Sequence, residues 1–289
     1  MHYAPSTKSC RIKLHDKREQ SYRRPDGRAN KDSAGGWRYR QYRLHVVDAA
    51  HEKGFAVRAL VRDRAKARKF PKEVQLIVGD VTRPETLSAA VDGVDAVVFT
   101  LGSDGAGKAG AENIDYGGVR NVLAALGSRQ VRIALMTSIG VTNRDGSYNL
   151  STEAHDWKRR SERLVRASGL PYTIVRPGWF DYNKADEHKL IFLQGDTRQA
   201  GNSSDGVIAR RQIAEVLVSS LTSDKALRKT FELIATKGPA QEKLDALFAA
   251  LDPDSKDGLD GVRDMPNKPL EDEPQRVNDD LHALSANHR

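Results

Sequence analysis

Residues 157–178 read Trp-Lys-Arg-Arg-Ser-Glu-Arg-Leu-Val-Arg-Ala-Ser-Gly-Leu-Pro-Tyr-Thr-Ile-Val-Arg-Pro-Gly. The part up to Ser168 predicts a basic helix. The apolar, β-branched run Tyr172–Arg176 predicts a strand buried on both faces, which stops at the turn Arg176-Pro177-Gly178. A helix followed by such a strand is typical of a parallel sheet covered by helices.

The same alternation extends over residues 44–250 and predicts an α/β fold with a doubly wound parallel sheet. The expected strands lie near Ala56–Val61, Val74–Val78, Asp95–Thr100, Val131–Thr137, Tyr172–Arg176 and Phe231–Ala235. The expected helices are Leu44–Glu52, Arg64–Lys69, Glu85–Val91, Ala111–Leu126, Thr152–Ser168 and Arg211–Leu221. Each helix has roughly the length that a βα crossover needs.

The excess of basic residues is confined to the N-terminus. The 289 residues carry a net charge of +8, and residues 1–43 hold 12 Lys/Arg against 4 Asp/Glu. The rest of the chain holds 35 of each kind, so its composition implies no basic face and we expect no nucleic-acid partner. We divide the chain into an aberrant basic segment (1–43, disordered or out of frame), one globular domain (44–250) and an acidic tail (251–289).

The chain carries no sign of a membrane or an oxidising compartment. Cys10 is the only cysteine, so it cannot form an intrachain disulfide. No apolar run approaches the roughly 18 residues expected of a membrane span. The first residues lack the apolar core of a signal peptide. We therefore expect a cytoplasmic protein without a membrane partner.

The helix that carries Lys158 and the turn Arg176-Pro177-Gly178 together resemble the central stretch of NmrA-like, atypical short-chain dehydrogenases/reductases. The resemblance covers about residues 44–250 and implies a Rossmann-like domain that binds NAD(P). In that family the helix lysine and the Pro-Gly turn flank the nicotinamide ribose. The family fold also opens with a strand and a Gly-x-x-Gly-x-x-Gly turn, which should stand just before Leu44.

The sequence lacks this glycine motif before Leu44, since residues 33–43 read Ser-Ala-Gly-Gly-Trp-Arg-Tyr-Arg-Gln-Tyr-Arg. Trp37, Tyr39 and Tyr42 would fill the space that glycines leave open for a pyrophosphate. We therefore expect the N-terminal strand and glycine loop to be disrupted, and the chain as written to bind a dinucleotide weakly or not at all.

A frameshift accounts for the missing turn. With suitable codons for residues 33–43, a shift of one nucleotide reads Val-Leu-Val-Val-Gly-Gly-Thr-Gly-Ser-Ile-Gly, a buried strand followed by the expected glycine pattern. Part of this result does not depend on codon choice, because Trp followed by any Arg codon yields Gly in that frame. The alternative is a genuine basic arm on a truncated fold. Detection of the written N-terminal peptide in cells would contradict the frameshift.

The resemblance assigns residues after the first two predicted strands to the adenosine half of the cofactor. Arg62 and Arg64 suit a 2′-phosphate, which favours NADP(H) over NAD(H). Asp80 and Val81 would lie beside the adenine. Each assignment has an alternative. Arg62 and Arg64 can be solvated, as charged residues after a strand commonly are, and Asp80 can be an ordinary cap at the start of a loop.

The nicotinamide half would lie at the ends of the next strands. Thr100 and Gly102 would let the cofactor cross the carboxyl edge of the sheet, with a plain βα turn as the alternative. Pro177 and Gly178 would border the nicotinamide, since Pro removes a donor and Gly permits close backbone approach. Lys158 would contact the ribose, and the alternative is a solvated basic face at Lys158–Arg160.

The catalytic assignments are Lys158, Ser138 and His155. Ser138 follows the expected strand Val131–Thr137, where the family keeps a hydroxyl that can bond a substrate carbonyl. The family's proton-donating tyrosine stands four residues before the lysine, but this chain has Ala154 there. His155 titrates near neutral pH as a free side chain and is the substitute, although a lone histidine is commonly inert. Tyr148 and Tyr182 lie on flanking loops.

Residues 181–206 are rich in Asp, Asn, Gly and Ser and predict a polar insertion that covers the substrate. Asp181, Asp186, Glu187 and His188 within it match no metal-ligand spacing, so we expect no metal. Asn113, Asp115 and Tyr116 resemble the family's polar helix start, which capping explains equally well.

Two functions compete. One is an NAD(P)H-dependent oxidoreductase acting on an unknown small carbonyl, quinone or sugar-like substrate. The other is a non-catalytic NAD(P)H sensor, which the missing tyrosine favours. A basic nucleic-acid binder depends wholly on residues 1–43 and ranks last. The sequence identifies neither the substrate nor the oligomeric state.

Overall fold

The computed structural model describes residues 35–103 and 105–286, with side chains from Leu44 onward. The expectations for residues 1–34, including Cys10, lie outside the described residues. The strands are β1 Arg58–Val61, β2 Gln75–Val78, β3 Ala96–Phe99, β4 Arg132–Met136, β5 Tyr172–Pro177, β6 Trp179–Phe180, β7 Lys189–Leu193, β8 Val207–Ile208 and β9 Lys229–Thr236. The α-helices are α1 Gly35–Glu52, α2 Ser88–Val91, α3 Gly107–Gly110, α4 Gly117–Leu126, α5 Ser147–Thr152, α6 Ala154–Ala167, α7 Arg210–Ser220, α8 Asp245–Ala249 and α9 Gln275–Ala286.

The strands form a parallel-dominated sheet with helices on both faces, which confirms the predicted Rossmann-like α/β class. In the larger part, β3, β4, β5 and β9 are neighbours and run parallel, with β8 and β6 beyond β9. β7 adds to β9 in the antiparallel sense. All six strands expected from the sequence are present.

The sheet is divided near its N-terminal strands. β1 pairs in parallel with β2, and these two form a separate small sheet. β3 is the terminal strand of the larger sheet. Within the described residues no strand lies between β1 and β3, where the expected first strand of the fold would stand.

Two apolar cores cover the faces. The first joins α1 and α7 to one face of the sheet, through residues such as Val46, Leu217 and Val98. The second joins α4, α6 and α9 to the other face, through residues such as Leu123, Leu164 and Val97. Both cores include residues of β1 and of β3, so the two sheets belong to one layer.

Several helix expectations need correction. The helix expected at Leu44–Glu52 begins at Gly35, and the one expected at Arg64–Lys69 is the 3₁₀ turn Arg64–Ala67. The one expected at Glu85–Val91 is a 3₁₀ turn, Pro84–Thr86, followed by α2. The expected helix Thr152–Ser168 is broken at Glu153, whose φ of 54° is left-handed. The insertion 181–206, expected to be a polar loop, contains a strand: Lys189–Leu193 form β7, which pairs with β9.

The basic side chains of α6 are buried, so the solvated-face alternative for Lys158–Arg160 is wrong. Arg159, Arg163 and Arg166 are each less than a tenth exposed. Residues 252–273, here called the strap, cross this helix and supply the counter-charges. The ion pairs are Arg159–Asp260, Arg163–Asp260, Arg160–Glu273, Arg163–Glu273 and Arg166–Asp254.

Arg176 of β5 is the centre of a second charged cluster and is fully buried. It donates to both carboxylate oxygens of Glu162 on α6, at 3.0 and 2.7 Å, and to both of Asp264 on the strap, at 2.7 and 2.6 Å. It also donates to Glu232 of β9 at 3.3 Å. This guanidinium therefore joins four elements and holds the pKa of the Asp264 carboxyl well below its usual range against the opposing effect of burial.

We expect Arg176→Met to lower the free energy of unfolding by about 3–5 kcal/mol, because it leaves buried carboxylates without a partner. Urea unfolding followed by circular dichroism measures the change. The control Arg211→Met removes a largely exposed pair with Glu215 and should cost no more than about 0.5 kcal/mol. Equal, small effects of both variants would contradict a central role for Arg176.

Candidate functional site

The candidate site lies at the carboxyl ends of three neighbouring strands. Thr100, Ser138 and Gly178 directly follow the ends of β3, β4 and β5 or lie within two residues of them. Parallel neighbours end at the same edge of a sheet, and a hydrogen bond of 3.0 Å from Ile139 N to Pro177 O ties two of the loops together. The structure thus brings together the predicted residues of the nicotinamide half.

Lys158 reaches this edge from α6. Its Nζ lies 2.9 Å from Oδ1 of Asp115, which is buried. The same carboxylate accepts the backbone N–H of Ser103 at 3.2 Å. Asp115 therefore does more than cap a helix: it holds the lysine against the loop that follows β3, beside Gly102.

Seven buried side-chain atoms of the described residues have no hydrogen-bond partner, and three of them belong to residues of the predicted site: Thr100 Oγ1, Ser138 Oγ and His155 Nδ1. Buried polar groups are nearly always bonded, so three unbonded ones at one edge mark a place where a polar ligand can bind. Lys158 lies close enough to His155 for its charge to lower the pKa of that imidazole further. The residues present fit the nicotinamide end of a dinucleotide.

His155 is packed where α6 begins. A Cβ added to Gly140 would lie 3.4 Å from its Cε1, and the Tyr148 ring stacks edge-on at 5.2 Å between centroids. Burial lowers the pKa of His155 to about 4, so the imidazole is neutral near pH 7. Ala154 beside it is buried in the apolar core and supplies no proton donor.

The predicted residues of the adenosine half form a second group, at the end of the small sheet. Asp63 caps a 3₁₀ turn, and Arg64 donates to Leu76 O at 3.0 Å. Asp80 accepts from Thr82 N at 2.9 Å, as the capping alternative expects. Arg62 is half-buried directly after β1.

The two groups meet on α4. Val81, which follows β2, accepts a hydrogen bond from Asn121 Nδ2 at 2.8 Å. A Cβ added to Gly118 would lie 2.9 Å from Val81 Cγ2 and 2.8 Å from Leu101 Cδ1. The carboxyl ends of β2 and β3 therefore lie on the same side of the molecule, over the same helix.

A pyrophosphate would need a glycine turn in front of α1. Gly35 and Gly36 are the first two residues of α1 as the structure describes it, and the chain before Gly35 lies outside the described residues. The expected loss of the phosphate site therefore stays a prediction from the sequence.

The sequence analysis expects Gly178 to make room for the nicotinamide, but the structure shows another reason for this glycine. A Cβ at Gly178 would lie 2.5 Å from Gly206 O, so a neighbouring backbone already requires the glycine. A Cβ at Gly206 would in turn lie 2.3 Å from Ile234 Cγ2 on β9. The insertion packs closely against the end of β5 and against β9, and this packing requires glycine at both positions.

A carboxylate pair near the site escaped the sequence reasoning. Asp196 is fully buried and accepts from Gly140 N at 2.6 Å and Thr142 N at 2.7 Å, which anchors the insertion to the loop after Ser138. Its own N–H donates to Glu232 at 3.1 Å. No local pattern identifies either residue, because the contacts join distant segments.

Two acidic residues of the insertion have basic partners. Asp181 pairs with Arg210, and Asp186 lies 3.4 Å from Lys237. Among the described residues, no group of three or more His, Cys, Asp or Glu side chains could hold a metal ion. Tyr182 is exposed and meets Trp179 edge-on at 6.1 Å, away from Tyr148.

Comparison with known proteins identifies the family of this chain. The model of the NAD(P)H-binding family matches residues 43–224, beginning inside α1. Sanguinarine reductase of Eschscholzia californica is 26% identical over 236 residues, which cover 68% of this chain and 86% of the relative. A chloroplastic uncharacterised protein of Arabidopsis thaliana is 28% identical over 218 residues (67% of this chain, 66% of the relative).

Among solved structures, a Bacillus halodurans protein described as an NAD-dependent epimerase/dehydratase superposes with a TM-score of 0.60. Identity is 20%, and the match covers 80% of this chain and 96% of the other. This likeness concerns the fold. Within the described residues, no helix has the length and apolarity needed to cross a membrane.

Glu232 predicts a pH dependence of stability. Burial is the main cause that raises its pKa from 4.5 to about 7, so the folded chain holds a proton that the unfolded chain has already released. We expect the stability of wild type relative to Glu232→Gln to fall as pH rises from about 4.5 through about 7. His155, with a lowered pKa, acts in the opposite direction in both proteins.

Urea unfolding at half-unit pH steps measures this difference. The matched control is Glu242→Gln at an exposed position, which should leave the pH dependence of wild type unchanged. If Glu232→Gln and wild type keep a constant difference across the window, Glu232 is ionised in the folded chain and the expectation is wrong.

Proposed function

Because the chain belongs to the NAD(P)H-binding family, we propose that residues 44–250 form the cofactor domain of an NAD(P)H-dependent oxidoreductase of the short-chain dehydrogenase/reductase type. The carrying observation is the group of unbonded, buried atoms Thr100 Oγ1, Ser138 Oγ and His155 Nδ1 beside Lys158. The resemblance to sanguinarine reductase supports a reduction, and a small carbonyl or quinone is the proposed substrate class.

Each of these residues has a proposed task. NAD(P)H supplies a hydride when it is bound. Lys158, fixed by Asp115 at 2.9 Å, orients the ribose. The Ser138 hydroxyl donates a hydrogen bond to the substrate oxygen and thereby polarises the carbonyl bond. His155 is neutral near pH 7, and Nδ1 accepts or donates one hydrogen bond at the same edge. Thr100, Gly102, Pro177 and Gly178 are the residues of the strand ends that would hold the bound cofactor.

The second candidate is an NAD(P)H sensor without catalysis. It is favoured by Ala154, which is buried at the position of the family's tyrosine and leaves no side chain there to protonate a substrate. Binding of NADPH without its oxidation by any carbonyl or quinone would select this candidate. A cytoplasmic location and the boundaries at residues 43 and 250 remain proposals.

The first test compares two forms of the protein. The frame-restored chain carries Val-Leu-Val-Val-Gly-Gly-Thr-Gly-Ser-Ile-Gly in place of residues 33–43, with the rest unchanged. We expect it to bind NADPH at least about 100-fold more tightly than the chain as written, a difference of about 2.7 kcal/mol, because only the restored form has a glycine turn for the pyrophosphate. Calorimetry measures both affinities.

Equal affinities of the two forms would refute the proposed role of the glycine turn. Absence of binding in both would remove the oxidoreductase and the sensor together. When binding is present, NADPH oxidation against carbonyls and quinones decides between them.

Cofactor choice has its own test in the frame-restored chain. Arg64→Ala should weaken NADPH about tenfold, or about 1.4 kcal/mol, and leave NADH unchanged, because only NADPH carries the 2′-phosphate. The control is Arg68→Ala, an exposed arginine one turn further on, which should change neither affinity. An equal loss for NADH and NADPH would assign Arg64 to structure.

A further inference from the structure

A cavity lies outside the candidate site, beside α7. Its volume is about 530 Å³, within the range of roughly 300–1,000 Å³ that is typical of small-molecule sites. Its walls are the residue that follows α1, one side of α7, residues of the segment 183–190, where β7 begins, and residues of the segment 240–244 after β9. Among the described residues, none of those assigned above to catalysis or to the cofactor lines this cavity.

Side-chain hydrogen bonds hold the walls of the cavity together. Gln212 of α7 donates from Nε2 to Glu187 O at 3.2 Å and to His188 O at 3.3 Å. The Gln241 amide accepts from Leu190 N and donates to Leu190 O, both at 2.9 Å. These bonds fix the two segments and α7 relative to one another. The cavity is therefore preformed, and a ligand binds there without the entropic cost of ordering its walls.

The deeper part of the cavity is apolar. Leu190 is buried and Ala209 and Leu244 are half-buried, whereas the lysines and the arginine of the lining are exposed. The apolar side chains thus lie further from solvent than these cations. A ligand with an apolar body gains free energy there, because its surface and that of the cavity are removed from water together.

The charged lining residues have an excess of positive charge. Arg211 donates to Glu215 at 2.8 Å, so these two lining charges balance. Lys53, Lys184 and Glu242 also line the cavity, and none of them forms an ion pair within the described part of the chain. Two lysines and one carboxylate therefore remain without an opposite charge, and this balance favours an anionic ligand.

We propose that this cavity is a second binding site and that its ligand is a small organic anion, with an apolar ring body and one carboxylate, sulfonate or phosphate group. The body lies against Leu190, Ala209 and Leu244, and the anionic group interacts with Lys53 and Lys184. An inorganic ion would leave the apolar surface in water, and an uncharged ligand would gain nothing from the lysines. The site goes beyond the proposed function, since it requires neither NAD(P)H nor Ser138.

The test uses the full chain as written and the fluorescent dye anilinonaphthalene sulfonate, which has an aromatic body and one anionic group. We expect saturable binding. Ala240→Trp, at an exposed position of the lining, should abolish it because the indole fills the cavity. The double variant Lys53→Gln, Lys184→Gln should weaken binding about tenfold, since each exposed charge pair contributes about threefold. Fluorescence titration at low ionic strength measures both effects.

The matched control is the double variant Lys225→Gln, Lys256→Gln, which removes the same charge at exposed positions outside the cavity and should leave the affinity unchanged. An equal loss in both double variants would assign dye binding to the net charge of the chain and overturn the proposal. Unchanged binding by Ala240→Trp would place the dye elsewhere, with the same consequence.

Competition tests the class of ligand. Naphthalene sulfonate should displace the dye. Naphthalene methanol has the same rings without the charge, and inorganic phosphate has the charge without the rings, so each should compete at least about tenfold less well. Equally good displacement by the alcohol would make the cavity a plain apolar site, and equally good displacement by phosphate a plain ion site. Either result would overturn the proposal.

Amide hydrogen exchange locates the site without any substitution. Naphthalene sulfonate should slow exchange in the segments 183–190 and 240–244 and leave the segment that contains Ser138 unchanged. Slower exchange around Ser138 alone, or displacement of the dye by NADPH, would place the ligand in the candidate site and overturn the proposal. None of these measurements depends on NADPH oxidation, so a failure of the proposed function would leave their outcome unaffected.

Discussion

The carboxyl edge of the sheet depends on one buried cation, the guanidinium of Arg176. A charge inside the protein requires partners with good geometry, and here β9, α6 and the strap each contribute a carboxylate. Glu162 also accepts the Thr137 hydroxyl at 2.7 Å, so the end of β4 is fixed by the same group. The loops that carry Ser138 and Gly178 are thereby held in place from below.

This arrangement leaves the molecule uneven along the edge. The side predicted for the nicotinamide has a positioned lysine, a neutral buried histidine and hydroxyls without a hydrogen-bond partner. On the side of β1 and β2 the sheet is divided. The predicted frameshift at residues 33–43 would remove the strand that joins the two parts, and it stays a prediction.

The parts of the fold that the sequence predicted are those with local signals. Runs such as Tyr172–Arg176 have a composition that only a buried strand accommodates, and the long helices between them follow from spacing. β7 was missed because its apolar run Lys189–Leu193 stands among polar residues that indicate a loop. The ion pairs of α6 with the strap were also missed, since they join residues about 90 or more positions apart.

In the candidate site, too, residues with local sequence signals were predicted and long-range contacts were not. The structure places Ser138, Lys158, Thr100 and Pro177 at or near one edge of the sheet, because each belongs to a recognisable strand end or lies on a long helix, and their roles stay predictions. The contacts of Asp196 and Glu232 depend on the insertion folding back over β4, and the partner of Gly178 is the backbone of Gly206. Such contacts join distant segments of the chain, so the spacing of residues in the sequence does not predict them.

The packing of Gly178 against Gly206, and of Gly206 against Ile234, bears on how the insertion can be exchanged. A lid transplanted from a relative must carry its own second glycine and meet a β-branched neighbour of matching shape on β9. Residues 178, 206 and 234 thus constrain one another, and the pairing of β7 with β9 and the buried Asp196 fix further parts of the same insertion.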